Sequence, residues 1–199
     1  MMAMLHPVST TPAKADIASG HLRTRYDNAA IALHWATVVL VVLQFALSQL
    51  WGFFDRPDRH LMIVAHMSFG IILSVVIAAR IAWRLTPGHR VAPATTGLEE
   101  LAARIVHFVL YVLLACEAIL GFTLRWSGNE AMSFFGLWIA PPFAPFSKPA
   151  HHLVETMHAY TGWTIVILAT CHAVMALIHH YVLRDTVLRR MLPAGKATP

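Results

Sequence analysis

The chain has 199 residues, of which 57% are hydrophobic and 13% charged, and its mean hydropathy is +0.60. That balance points to an integral membrane protein, and soluble all-α packing is the alternative it fits poorly. The net charge of +5 comes without a patterned basic and aromatic surface, so nucleic acid is not a predicted partner, whereas anionic membrane lipid is.

Residues 1–25 read as a polar tail carrying Lys14, Arg23 and Arg25, with no apolar core or cleavage site of its own, so the first span is an uncleaved signal anchor. Four apolar stretches follow, over 29–52, 61–84, 101–125 and 157–182. At about 1.5 Å of rise per residue, each can cross a hydrocarbon core of about 30 Å. The predicted fold is all-α: an integral membrane four-transmembrane-helix bundle over 26–185, then a basic tail over 186–199. The short connection from Phe53 to His60 makes helices one and two antiparallel neighbours. A loop rich in proline, glycine and threonine follows Leu85 and ends in a helix start near Thr96. The connection from Ser127 to Leu153 holds "APPFAPFSKP", whose prolines exclude a regular helix. Its Phe134, Phe135 and Trp138 suit the headgroup layer.

Basic residues set the orientation. Lys14, Arg23, Arg25, Arg80, Arg84, Arg90, Arg104, Arg184, Arg189, Arg190 and Lys196 fall on one side, against Arg56, Arg59, Arg125 and Lys148 on the other. Both termini are therefore expected to face the cytoplasm. Cys116 and Cys171 fall within predicted spans, so a disulfide is not expected, and the absence of C-x-x-C-H excludes covalent haem attachment.

Thirteen histidines occur. His6, His21, His60, His89, His151, His152, His179 and His180 lie in tails, in connections or near the ends of the fourth span, where rings reach water or headgroups. His34, His66, His158 and His172 lie inside spans, where an ionisable side chain is costly and faces a partner or the bundle interior. His158 and His172 are separated by a helical rotation of about 1,400°, which places them within about 40° of one face and about 21 Å apart along the axis. The alternating direction of the spans then matches His34 with His172 on the cytoplasmic side and His66 with His158 on the periplasmic side. Two imidazole pairs at two depths suit two bis-histidine haems. Zinc would require four ligands, usually including cysteine or carboxylate, and no such cluster occurs at either level.

A porphyrin also needs room. Gly70 follows His66 by four residues and Gly162 follows His158 by four; each gives a turn without a side chain beside a ligand, or serves small-residue helix packing. Arg80, fourteen residues after His66, is placed to meet propionates of the lower haem, or simply marks topology. Arg56, Arg59 and His60 could serve the upper haem, draw in an anionic reactant, or stand solvated.

"RYDNAAIALHW" at 25–35, "DRHLMIVAHMSFG" at 58–70 and "MHAYTGWTIVILATCHAVMALIHHYVLRDTVLRRMLP" at 157–193 resemble the bacterial di-haem cytochrome b561 family. The resemblance covers nearly everything except the N-terminal tail and parts of the two longer loops. It implies two haem b groups between the helices, with His34, His66, His158 and His172 as axial ligands. It also implies an oxidoreductase relaying electrons between a donor, for which superoxide or a periplasmic redox protein are candidates, and membrane ubiquinone. The long tail and Glu117 depart from the family pattern. Glu117 either delivers a proton to a reduced quinone or hydrogen-bonds a neighbouring helix, and His107 is a second candidate for contact with quinone or a haem edge. Two other functional classes fit the same histidines: a haem-bearing membrane anchor of a larger oxidoreductase, and a proton or metal transporter, although the broken-helix repeat of many transporters is missing.

Overall fold

The computed structural model describes residues 25–86, 91–93 and 96–192. Most of the polar N-terminal tail, with His6, His21, Lys14 and Arg23, lies outside them, as do His89, Arg90 and Lys196. Four helices, α1 (Asn28–Leu50), α2 (Arg56–Leu85), α3 (Leu98–Ser127) and α4 (Lys148–Tyr181), account for most of the described chain. Each is long and apolar enough to cross a membrane, and together they form a membrane helical bundle. α1 packs chiefly on α2 and α3 on α4, with α2 and α3 joining the two pairs.

The helices are longer than the apolar runs because their ends are built from capping residues. Asp27 caps α1, its carboxylate accepting the Ala30 backbone N–H at 2.8 Å, and the same carboxylate takes Trp83 Nε1 from the far end of α2 at 3.1 Å. α2 begins at Arg56 and not at 61, with Pro57 in its first turn. α4 begins at Lys148, with Pro149 in its first turn. The expectation that prolines exclude regular helix up to Leu153 is thus corrected. Proline lacks only an N–H that the first turn leaves unbonded anyway, and its fixed φ suits that position.

The same connection contains an element with no expectation behind it, an antiparallel hairpin of β1 (Met132–Phe134) and β2 (Leu137–Ile139). Its two-residue turn has positive φ at Phe135 (47°) and Gly136 (94°), the handedness that matches strand twist. Ser68 of α2, fully buried, ties the hairpin down: its Oγ accepts the Phe135 N–H at 2.9 Å and lies 3.3 Å from the Ser133 carbonyl. This end of the bundle is called the top below.

At the opposite end, the base, the chain folds back after α4. The His179 ring meets the Asp185 carboxylate, Trp35 Nε1 donates to the Met191 carbonyl at 2.8 Å, Arg190 donates to the Ala92 carbonyl at 2.7 Å, and Arg25 donates to the Leu192 carbonyl. Both ends of the described chain are therefore at the base.

Lipid tails are as apolar as leucine, so burial of apolar surface does not by itself drive these helices together; packing and polar contacts must. Val39, Val42, Val75, Phe108, Ile119 and Ile167 accordingly stand exposed on the outside. Ile77, Leu114 and Ile165 meet inside at mid-height, flanked by Val41, Leu73, Ile81 and Leu113. This apolar layer separates two polar levels.

Candidate functional site

At the top level, His66 of α2 and His158 of α4 face each other with ring centroids 6.4 Å apart and planes at 86°. An imidazole nitrogen sits about 2 Å from a first-row metal, so two rings on opposite sides of one ion have centroids about 6 Å apart. The observed spacing fits a single six-coordinate iron between them.

The nitrogens that would not face the iron are directed toward acceptors. His66 Nδ1 donates to the Gln44 carbonyl at 3.2 Å, leaving Nε2 with its lone pair. His158 Nδ1 lies 3.1 Å from Glu117 Oε1 of α3, close but not aligned as a hydrogen bond. Trp51 sets its ring edge-on to His66 at 5.3 Å.

Gly70 and Gly162 border this level. A Cβ at Gly70 would come 2.8 Å from Gln44 Nε2, and one at Gly162 would come 3.2 Å from Glu117 Oε1. In each case the glycine is covered only by the tip of a flexible polar side chain. Gln44 Oε1 and Glu117 Oε2 are buried with no hydrogen-bond partner among the described residues. Glycine backbone covered only by side chains able to turn aside is what a flat macrocycle requires.

At the base level, Arg80 Nη2 donates to His34 Nδ1 at 2.7 Å, and the His107 and His172 rings meet edge-on at 5.0 Å. His34 lies within electrostatic reach of Arg80, His172 and His107. Arg80 and Arg84 lie over the Tyr111 ring, at 5.1 and 5.8 Å from its centroid. His34, His172, Arg80 and His107 are thus brought to one depth by four different helices.

An isolated charge at the centre of a membrane helix costs about 2.5–3.5 kcal/mol on insertion scales. Arg80, Glu117 and the in-span imidazoles therefore need a compensating role, and the two levels hold all of them. Among the described residues no group of three or more His, Cys, Asp or Glu side chains is placed to hold a bare metal ion. His66 and His158 meet as a pair, which suits a macrocycle that brings its own four equatorial nitrogens.

Other candidates fall elsewhere. The Arg59 guanidinium is taken by the carbonyls of Trp51, Gly52 and Phe54 at 3.1 to 3.4 Å, so it closes the turn after α1 and is not directed at the top histidines. Arg56 and His60 are exposed. Gln44, Trp51, Tyr111 and Gly121 were not anticipated. A lone amide in an apolar span carries the same signal that picked out the histidines, and Gly121 follows Glu117 at the spacing by which Gly162 follows His158.

The profile of the prokaryotic cytochrome b561 family matches residues 25–194. The chain belongs to the prokaryotic cytochrome b561 family. It is 31% identical over 183 residues to cytochrome b561 homolog 2 of Escherichia coli strain K12, covering 87% of this chain and 93% of that protein. It is 27% identical to cytochrome b561 homolog 1 of the same strain, covering 86% and 99%. It is also 29% identical to a protein named probable superoxide oxidase CybB in Yersinia pestis, covering 86% and 98%. As a cytochrome b561 it is a multi-pass bacterial membrane protein of electron transfer that binds haem b, and the top level fits that group in ring spacing, available nitrogens and the glycines beside the rings.

Proposed function

We propose that this cytochrome b561 carries two haem b groups and passes electrons between superoxide and membrane ubiquinone. His66 and His158 would hold the iron at the top, and His34 and His172 the iron at the base. The supporting observation is the facing ring pair of His66 and His158 at one depth, with His34 and His172 gathered at a second depth across an apolar layer of Ile77, Leu114 and Ile165. When bound, haem b would supply one-electron transfer chemistry.

The chain's own residues orient and neutralise. Gln44 holds His66 in the tautomer that presents Nε2. Arg80 now occupies His34 Nδ1, which leaves the proton of that ring on Nε2. For His34 to hold the iron through Nε2, Arg80 would have to turn away, and a haem propionate would offer it a charge partner. His107, against His172, and Tyr111, beneath Arg80, complete the base level and are the side chains best placed to meet a quinone headgroup. The excess of basic residues at the base supports a reading in which both termini face the cytoplasm of a bacterial inner-membrane protein.

The test is a pair of mixing experiments on the purified holoprotein. Superoxide is expected to reduce the haem, and a soluble ubiquinone to reoxidise it, with the protein accelerating quinone reduction. Haem inert to both reactants would reject this donor and acceptor and favour the anchor role, in which a partner protein co-purifies in fixed ratio.

A further inference from the structure

We infer that Glu117 is a positioning residue for His158: its carboxyl group accepts the His158 Nδ1 proton and makes the two axial ligands of the top haem unequal, lowering that haem's reduction potential. The inference rests on the ligand assignment proposed above.

The geometry is reciprocal. Glu117 and His158 sit on facing helices, and each packs against the glycine one turn beyond the other. A Cβ at Gly121, four residues after Glu117, would come 3.4 Å from His158 Cε1. One at Gly162, four residues after His158, would come 3.2 Å from Glu117 Oε1. Two side-chain-free turns thus seat this one pair, and the intervening gap from His158 Nδ1 to Glu117 Oε1 is 3.1 Å. A modest rotation of the ring turns that approach into an aligned hydrogen bond.

The other ligand is treated differently. Each ring has a peptide carbonyl in reach, that of Gln44 for His66 and that of Glu117 for His158, but only His158 has a carboxyl group beside it. A carboxylate draws the Nδ1 proton more strongly, makes the imidazole a better donor to iron, and so favours the oxidised state. A glutamate that only bridged two helices would leave the iron unaffected.

The experiment is a potentiometric titration of the purified holoprotein at one pH, with electron paramagnetic resonance of the oxidised samples, for wild type, Glu117→Gln and Glu117→Asp. Glutamine keeps the length and an acceptor oxygen but weakens the pull. Aspartate keeps the carboxyl but withdraws it from the ring. Both are expected to raise one midpoint potential, the glutamine variant by roughly a tenfold change in the oxidised-to-reduced ratio at fixed poise, about 59 mV for one electron. The resonance of the same haem moves and the other haem stays put. Unchanged potentials in both variants, or equal shifts of both haems, would overturn the inference; if the glutamine variant loses haem, the aspartate variant decides alone. His158→Leu, run in parallel, separates the two levels of the claim. If it keeps both haems the ligand assignment fails, whereas if it loses one and the Glu117 variants shift nothing, only the role of Glu117 fails.

Discussion

His158→Leu is expected to remove one of two haem b signals, or convert it from low to high spin, and to leave the other as in wild type. Leucine keeps the apolar volume of the site but has no lone pair for iron, so the effect reads ligation more than packing. His66→Leu is expected to affect the same haem, and His34→Leu and His172→Leu the other. The selectivity follows from distance. His158 and His172 are about 21 Å apart along one helix, and Ile77, Leu114 and Ile165 fill the space between the levels. Effects at sites separated by more than about 10 Å without shared partners are independent. The double variant of His66 and His158 is thus expected to look like either single one, while that of His158 and His172 loses both haems. Difference spectra and redox titrations of the purified variants check this. Loss of the same haem from His34 and His66 variants would contradict the pairing.

The second large effect concerns room for the macrocycle. Gly70→Ala is expected to be mild, because the contact it creates, 2.8 Å from Gln44 Nε2, is with the tip of a flexible side chain. Gly70→Leu puts a bulky side chain where only the Gln44 tip now lies and is expected to abolish binding of the top haem, and Gly162→Leu does the same from the side of Glu117. The expected result is a folded bundle with one haem, visible as an unchanged elution volume and helical content with roughly half the haem per chain. Helix packing as the sole role of these glycines predicts something else: loss of folded protein, with both haems lost together.

Much of this arrangement is legible in the residues. The four spans follow from hydropathy, and the four in-span histidines stand out because the membrane makes polar side chains expensive. Their matching by depth needs only the helical rise and alternating span direction. Other features were hidden for physical reasons. The early start of α4 was hidden because Pro149 reads as a breaker until its place in a first turn is known. The hairpin was hidden because its turn, Phe135 and Gly136, lacks the usual asparagine or aspartate, and its hold on the bundle is a long-range bond to Ser68. The contact of Arg80 with His34 and that of His107 with His172 depend on how the helices rotate about their axes, which one sequence does not encode at side-chain resolution. Glu117 stood out as a charge in a span, but its partner could be found only once α3 and α4 were placed face to face across Gly121 and Gly162.

The most direct measurement is the number of haems per chain, by pyridine haemochrome against quantitative amino-acid analysis of the purified wild-type protein. Two b-type haems per chain, resolved as two components in a redox titration, is the result expected from imidazole pairs at two depths. One haem per chain would show that only one level binds the cofactor and that the other histidines serve a different purpose.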